Sequence, residues 1–443
     1  MTFVSCHPAS GRQTGVFEAL SASQLEGRLQ QSAEAAEGWR QRTFAERAAL
    51  LNQLASQLSA NRERLALIVT RELGQRLSES LAEVDRCAHE CAYFAAHGQA
   101  MLPLARSLTT FEPMGSVLQL GTGRFPLWQA FRLLAPTLMA GNAVLLKPAE
   151  NLPHCAREID ALVRATGAPA GLVSCLLIDQ PRVAGVIRDP RVAALAYGGN
   201  REDGARLAVL AGRQLKPVVM ELDGADLQIV LDDADPEAAV AAVLDSGLRN
   251  AGQLGRGARG VVVTPAIADD VVAMLAQRLA GMACGDPEDP QTGLGPLASA
   301  SSRARLHRQV QAARRQGARA VLGCELPAGP GWYYPASLLD GVAPEMPVFR
   351  RPAGGPLLSV LRVAGADDIP ALCRGLGPGG SAGIWSRDLA RGEQLGRQLA
   401  MDSCFVNAVP GRDAGYPFAV GPSPAGHFNI KAFCTMKSLV LAV

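Results

Sequence analysis

FPLWQAFRLLAPTLMAGNAVLLKPAE, residues 125 to 150, decides the architecture. Leu127 to Met139 are apolar almost throughout and long enough for a helix, which Gly141 and Asn142 stop. Ala143 to Leu146 follow at once as a short, wholly apolar run, the pattern of a buried strand. The polar Lys147-Pro148-Ala149-Glu150 ends it. A helix that feeds straight into a buried strand is part of a βαβ unit.

Working outward, the strand Val117 to Leu120 precedes this stretch, joined to it by the turn GTGRFP. Downstream come a helix near 153–165, a strand near 172–177, a helix near 181–187 and a strand near 192–197. The turn GGNREDG (198–204) then opens a helix near 201–213, followed by strands at Pro217–Leu222 and Leu227–Leu231. Alternation at this spacing predicts a parallel sheet. A second alternating series from Pro236 to about Leu399 predicts a second α/β domain. Upstream, residues 17–98 read as helices, and Pro103 with ARSLTTFEP reads as extended. The tail, Thr435 to Val443, reads as a β-rich terminal strand. Such a strand joins a sheet or leaves a sticky edge, so it is expected to pair across a subunit interface. There is no internal repeat; GPGGSAG (377–383) and AVGPSPAG (419–426) are short loops.

A chain of 443 residues exceeds one compact core. With 48% hydrophobic and 19% charged residues it has the composition of an ordinary globular protein. A net charge of +2 gives no reason to expect nucleic acid or an anionic membrane as partner. The opening MTFVSCHPAS lacks a signal-peptide pattern, and no window approaches the ~18 apolar residues of a membrane helix. The ten cysteines show no repeated spacing. Reduced thiols in a cytoplasm are therefore expected. Cys87 and Cys91, with His89 between them, read as core positions on a helix face rather than metal ligands, and no metal site is expected.

The segments with the look of chemistry are VVMELDG (218–224) and SGLRNAGQLGRGARG (246–260). The first puts a carboxylate, Glu221, at the end of an apolar strand. The second is a polar, glycine-punctuated loop. With FPLWQAFRLLAPTLMAGNAVLLKPAE, RVAALAYGGNREDG, GDPEDPQTGLGPLA and FVN (405–407), in this order, they resemble the aldehyde dehydrogenase superfamily. The shorter bacterial semialdehyde dehydrogenases are the nearest likeness. The resemblance implies a Rossmann-like cofactor domain (1–97 and 114–221) and a second, catalytic-type α/β domain (222–433). It also implies an oligomerisation element, a hairpin at 98–113 with the terminal strand 434–443, and hence a homodimer or larger homo-oligomer.

That family's E-L-G-G glutamate activates water, and Glu221 matches it. The family's nucleophile is the cysteine of N-x-G-Q-x-C; Asn250, Gly252 and Gln253 match, but the cysteine position is Gly255. The oxyanion-holding asparagine of P-W-N-F-P is replaced by Arg124 in Thr122-Gly123-Arg124-Phe125-Pro126. The nicotinamide-holding E-E-x-F-G-P reads Arg351-Pro352-Ala353-Gly354-Gly355-Pro356. Pro417-Phe418 survive, but the segment after them is unrecognisable. On the adenosine side, Lys147 and Glu150 match the residues that hold the ribose hydroxyls, and a carboxylate there favours NAD over NADP. Gly199, Asn200 and Gly204 match the G-S-x-x-x-G turn that cradles pyrophosphate; the alternative is a helix-opening turn with an asparagine cap.

Thioester chemistry needs a thiolate, and removing the nucleophile from a cooperating set costs on the order of a million-fold in turnover. The expectation is therefore a pseudoenzyme that binds NAD weakly or not at all. Its role would be binding, scaffolding or regulation, with a pathway protein as partner. The alternative is an NAD-dependent oxidoreductase acting on a semialdehyde through Glu221 without a thiol. Arg124 is expected to swing into the vacated volume, pairing with Glu221 or making an acid-binding pocket with Arg256; drift in an unused pocket is the competing reading. Cys404, beside FVN, is the best-placed alternative thiol, but its apolar strand context suggests packing.

Overall fold

The structure is a computed structural model, and it describes residues 2–102, 109–121, 123–224, 226–254, 257, 259–376, 380–408 and 429–438. Gly255, Arg256, Pro103, Pro417-Phe418 and the last five residues of the tail lie outside the described residues.

The chain begins with a hairpin that the helical reading of the N-terminal region did not anticipate. β1 (Thr2–His7) pairs antiparallel with β2 (Arg12–Glu18). Helices α1 (Ala22–Arg40), α2 (Phe44–Ala60), α3 (Arg62–Leu73) and α4 (Leu77–Met101) follow. Ser21 and Thr43 open α1 and α2 with reciprocal capping boxes to Gln24 and Glu46. Within the expected hairpin at 98–113, α4 runs to Met101 and, among the described residues, β3 (Thr109–Pro113) is the strand.

Next come β4 (Ser116–Leu120), α5 (Pro126–Ala140), β5 (Ala143–Lys147), α6 (Pro153–Ala165), β6 (Val173–Cys175), α7 (Gln180–Arg188), β7 (Val192–Gly199), α8 (Arg201–Gly212) and β8 (Val218–Leu222). The five strands from β4 to β8 form one parallel sheet, ordered β6-β5-β4-β7-β8. Every residue of β4 and β5 is buried, as continuous apolar runs require in a sheet covered on both faces. α5 is apolar around most of its circumference and sits between this sheet and α4. Its C-terminal carbonyls would be orphaned in that setting. Trp39 Nε1 donates to Leu138 O at 2.9 Å and Arg47 Nη1 to Met139 O at 3.2 Å, so long side chains from the preceding helices satisfy them.

The second half contains β9 (Leu227–Val230), α9 (Pro236–Leu248), β10 (Gly260–Val263), α10 (Pro265–Ala280), α11 (Ala300–Arg315), β11 (Arg319–Leu322), β12 (Ser337–Asp340), β13 (Leu357–Arg362), β14 (Ser381–Trp385) and β15 (Ser403–Val406). Its sheet runs β11-β12-β13-β10-β9-β14-β15, parallel except for β11. The predicted α/β class with two parallel sheets is thus what forms. The terminal strand β16 (Cys434–Ser438) pairs antiparallel with β3 of its own chain. The resulting two-stranded ribbon leaves Met436 72% exposed.

Candidate active site

The loop between α9 and β10 keeps the shape of a nucleophile loop. Asn250, Ala251 and Gly252 take three successive left-handed conformations (φ 49°, 49° and 68°). Gly252 is obligatory: a Cβ there would lie 2.0 Å from Gly355 O. Gly355 N–H donates to Gly252 O at 3.0 Å, so the loop before β13, where the nicotinamide motif is lost, closes directly over this turn. Gln253 spans the loop, donating to Asn250 O at 3.1 Å and accepting from Ala298 N–H at 2.8 Å. Behind it the buried Arg259 donates to Gly252 O and to Leu254 O. Burial, and then the nearby Arg124 cation, lower the Arg259 pKa to about 10.

Two glutamates of α4 brace this centre from the other side. Glu79 accepts from Asn250 N–H at 3.0 Å and pairs with Arg76 at 2.9 Å. Glu83, fully buried, accepts from Leu127 N–H at 2.9 Å and Trp128 N–H at 2.8 Å, capping α5 immediately after Arg124. Burial pushes the Glu83 carboxyl up to about 7 despite those two amides.

Glu221 and Arg124 do not meet as the sequence suggested. Arg124 Nη1 lies 2.5 Å from Asp223 Oδ2, both side chains about three-quarters buried. Glu221 Oε1 is held by Arg132 Nε at 3.0 Å instead. Glu221 lies within β8 and Asp223 just past its end, where Asp223 N–H is fixed to Gly199 O at 2.7 Å. Asp223 was legible as the departure of E-L-D-G from E-L-G-G and went unweighed. Arg132, two turns beyond Arg124 on α5, carried no sequence signal of its own.

Around Arg132 lies a second set of charges. Arg86 and Arg132 place their guanidinium carbons 5.2 and 5.8 Å from the centre of the Trp128 ring. Partial desolvation, then the Arg249 and Arg132 cations, depress the Arg86 pKa. Glu90, one turn after Arg86, is raised to about 7 by burial and by the facing Glu221. Arg249 is tied to Asp245 at 2.8 Å. The guanidinium groups of Arg86 and Arg132 thus lie against one indole ring, with Glu221 paired to Arg132.

On the nucleotide side, Lys147 is buried, its pKa lowered by that burial, with Glu150 3.8 Å away. Glu150 accepts from the Gln180 N–H that opens α7 at 3.2 Å. Asn200 caps α8, as the alternative reading had it: its Oδ1 accepts from Asp203 N–H at 2.8 Å and its Nδ2 donates to Asp203 Oδ2 at 2.6 Å. Gly204 packs α8 onto β8, since a Cβ there would lie 2.5 Å from Leu222 Cδ2.

Burial raises nine of the ten cysteines, Cys87, Cys91, Cys284, Cys324 and Cys404 among them. Cys404 Sγ packs 3.5 Å from Gly396 O on the edge strand β15. Among the described residues no cluster of His, Cys, Asp or Glu could hold a metal ion. Among them, too, no helix is long and apolar enough to cross a membrane.

A family model described as the aldehyde dehydrogenase family matches residues 1–436. The succinate semialdehyde dehydrogenase [NAD(P)+] Sad of Escherichia coli is 34% identical, covering 98% of this chain and 97% of that protein. The succinate-semialdehyde dehydrogenase [NADP(+)] 1 of Mycobacterium tuberculosis is 31% identical over the full length of both. The structure of succinic semialdehyde dehydrogenase from Streptococcus pyogenes with NADP+ superposes with a TM-score of 0.92 at 26% identity, covering 99% of each chain. The structure of NAD-dependent aldehyde dehydrogenase from Sinorhizobium meliloti gives 0.92 at 26% identity, over 99% of this chain and 91% of that one.

Proposed function

The chain belongs to the aldehyde dehydrogenase family, and from that premise we propose that it is a member which binds a small carboxylate without oxidising it. The observation that carries this reading is the Arg124–Asp223 ion pair. It stands where the resemblance puts the oxyanion donor, in a chain whose nucleophile position is Gly255. A guanidinium already committed to a carboxylate is a poor donor for a developing alkoxide, and no thiolate is there to generate one.

The ligand class follows from the guanidinium groups of Arg86 and Arg132 beside Trp128, of which Arg132 would exchange Glu221 for the incoming ligand. Planar forked donors beside an aromatic face suit a carboxylate. The names of the relatives, succinate-semialdehyde dehydrogenases, support a short-chain acid bearing a carbonyl at its other end. Binding, scaffolding or regulation beside a pathway protein would be the role, in the cytoplasm. The open ribbon of β3 and β16, with its exposed Met436, supports a homo-oligomer.

A second reading keeps an enzyme: Glu221 would activate water on an aldehyde and let hydride leave to NAD without a covalent intermediate. The 3.0 Å contact with Arg132 disfavours it, because it engages the oxygen that would take the proton. Two measurements test the choice. Calorimetric titration with succinate should saturate in the wild type and weaken at least tenfold in Arg132→Ala. Absorbance at the NADH band with succinate semialdehyde and NAD should stay flat. Turnover that disappears in Glu221→Gln would establish the second reading instead.

A further inference from the structure

Where the resemblance puts a dinucleotide, at the turn after β7 and just past the end of β8, this chain carries charged groups of its own, Asp203 and Asp223. We propose that Asp203 and Asp223 are the residues that keep a nicotinamide dinucleotide out, the first at the pyrophosphate position and the second at the nicotinamide position. The inference rests on the reading of the chain as a non-redox family member, and it names which side chains enforce that state.

Consider first the N-terminus of α8. A pyrophosphate binds a helix N-terminus through unspent amides and a favourable dipole. Here Asn200 spends both ends of its amide on Asp203, at 2.8 and 2.6 Å. Asp203 and Glu202 also put two carboxylates in the first turn. Arg206 pairs with Asp203 and offsets its charge, but the carboxylate still occupies the space. The helix has supplied its own anion.

The reaction end is closed in the same manner. Asp223 replaces a glycine of the family motif, and its carboxylate reaches across to Arg124 at 2.5 Å. Its backbone N–H is pinned to Gly199 O at 2.7 Å, so the side chain is fixed over the turn that leads to Asn200. Both acids act on the same buried hydroxyl: burial, then Asp203 and Asp223, raise the Tyr197 pKa. The two carboxylates border the same turn, since Asp223 N–H is bonded to Gly199 O and Asn200 to Asp203. A diphosphate bound there would meet like charge and would have to break the Arg124 pair. The residues present do not fit the dinucleotide.

The test is calorimetric titration of the full chain with NAD and NADH, independent of whether any carboxylate binds at Arg132. The wild type should show no saturation up to millimolar ligand. Asp203→Val combined with Asp223→Gly should bind at least tenfold more tightly than the wild type. Asp203→Asn with Asp223→Asn keeps the hydrogen bonds, removes both charges, and covers the case in which the first pair does not fold. Micromolar binding by the wild type overturns the proposal. So does a folded double variant, confirmed by an unchanged cooperative melt, that gains no affinity. Loss of succinate binding in Arg132→Ala alongside restored NAD binding would show that the two sites are separate.

Discussion

Glu79 and Glu83, one helical turn apart on α4, hold the two halves of the reaction centre together. Glu79 takes the Asn250 amide of the nucleophile loop at 3.0 Å, and Glu83 takes the first amides of α5 at 2.9 and 2.8 Å. One rigid helix thus sets the spacing between Gly255's loop and Arg124. These glutamates also stabilise the fold by accepting from backbone amides that would otherwise be unpaired, so the spacing is costly to lose.

Stability should fall as pH rises from about 4.5 towards 7. Glu83 and Glu90 are both raised from 4.5 to about 7 in the folded chain. In that window the folded state binds more protons than the unfolded state, so raising the pH favours unfolding. Each fully expressed shift is worth on the order of 1–3 kcal/mol. Glu83→Gln keeps an acceptor for the two α5 amides and should flatten the slope of melting temperature against pH. Glu83→Ala should instead lower the melting temperature at every pH. Melts from pH 4.5 to 8 distinguish the two. An unchanged slope in Glu83→Gln would mean that this carboxyl titrates in the ordinary range.

Arg124 and Asp223 should be energetically coupled. Asp223→Ala leaves the Arg124 cation facing the buried Arg259, and Arg124→Ala leaves a carboxylate without its partner. Both single variants should lose stability, and the double variant should recover part of it. A coupling of about 1 kcal/mol is expected for a pair shielded to this degree. Chemical denaturation of the four proteins measures it. Strict additivity would show that the pair is incidental.

Gly255→Cys alone should not restore aldehyde oxidation. A thiol at 255 would still lack its oxyanion asparagine, and Asp223 would still hold Arg124 beside it. The fourfold variant Gly255→Cys, Arg124→Asn, Asp203→Val, Asp223→Gly removes the obstacles at both the oxyanion and the dinucleotide positions and should give measurable NADH formation with succinate semialdehyde, whereas the same variant with Asp203 retained should not. Activity in the single variant would show that Arg124 yields easily to substrate.

The α/β architecture was legible because continuous apolar strands and glycine-stopped helices leave few alternatives, as residues 125–150 show. The losses at Gly255, Arg124 and 351–356 were equally plain. What the sequence hid was partnership. The resemblance puts Arg124 near Glu221, yet it pairs with Asp223, just past the end of β8, while Arg132 on α5 takes Glu221. Arg86 and Arg132 carry no motif; they converge only because α4 and α5 pack together. The N-terminal hairpin was missed because its short strands carry few buried apolar residues. Four of six in β1 and six of seven in β2 are at least partly exposed.

Gly252→Ala should be among the most damaging substitutions in the chain, although it touches no reacting atom. Its φ of 68° disfavours any side chain, and the new methyl would sit 2.0 Å from Gly355 O. Nothing nearby can give way cheaply: Gly355 N–H is bonded to Gly252 O, and the Gly355 Cα is hemmed in by Leu306. The cost should be about 3 kcal/mol or more, from backbone strain and overpacking together. Denaturation midpoints for Gly252→Ala, set beside an exposed control such as Gly212→Ala in α8, measure it. If Gly252 mattered only for placing a nucleophile, a chain with Gly255 in that position would tolerate the change. A large loss would show that the loop is now kept for the fold.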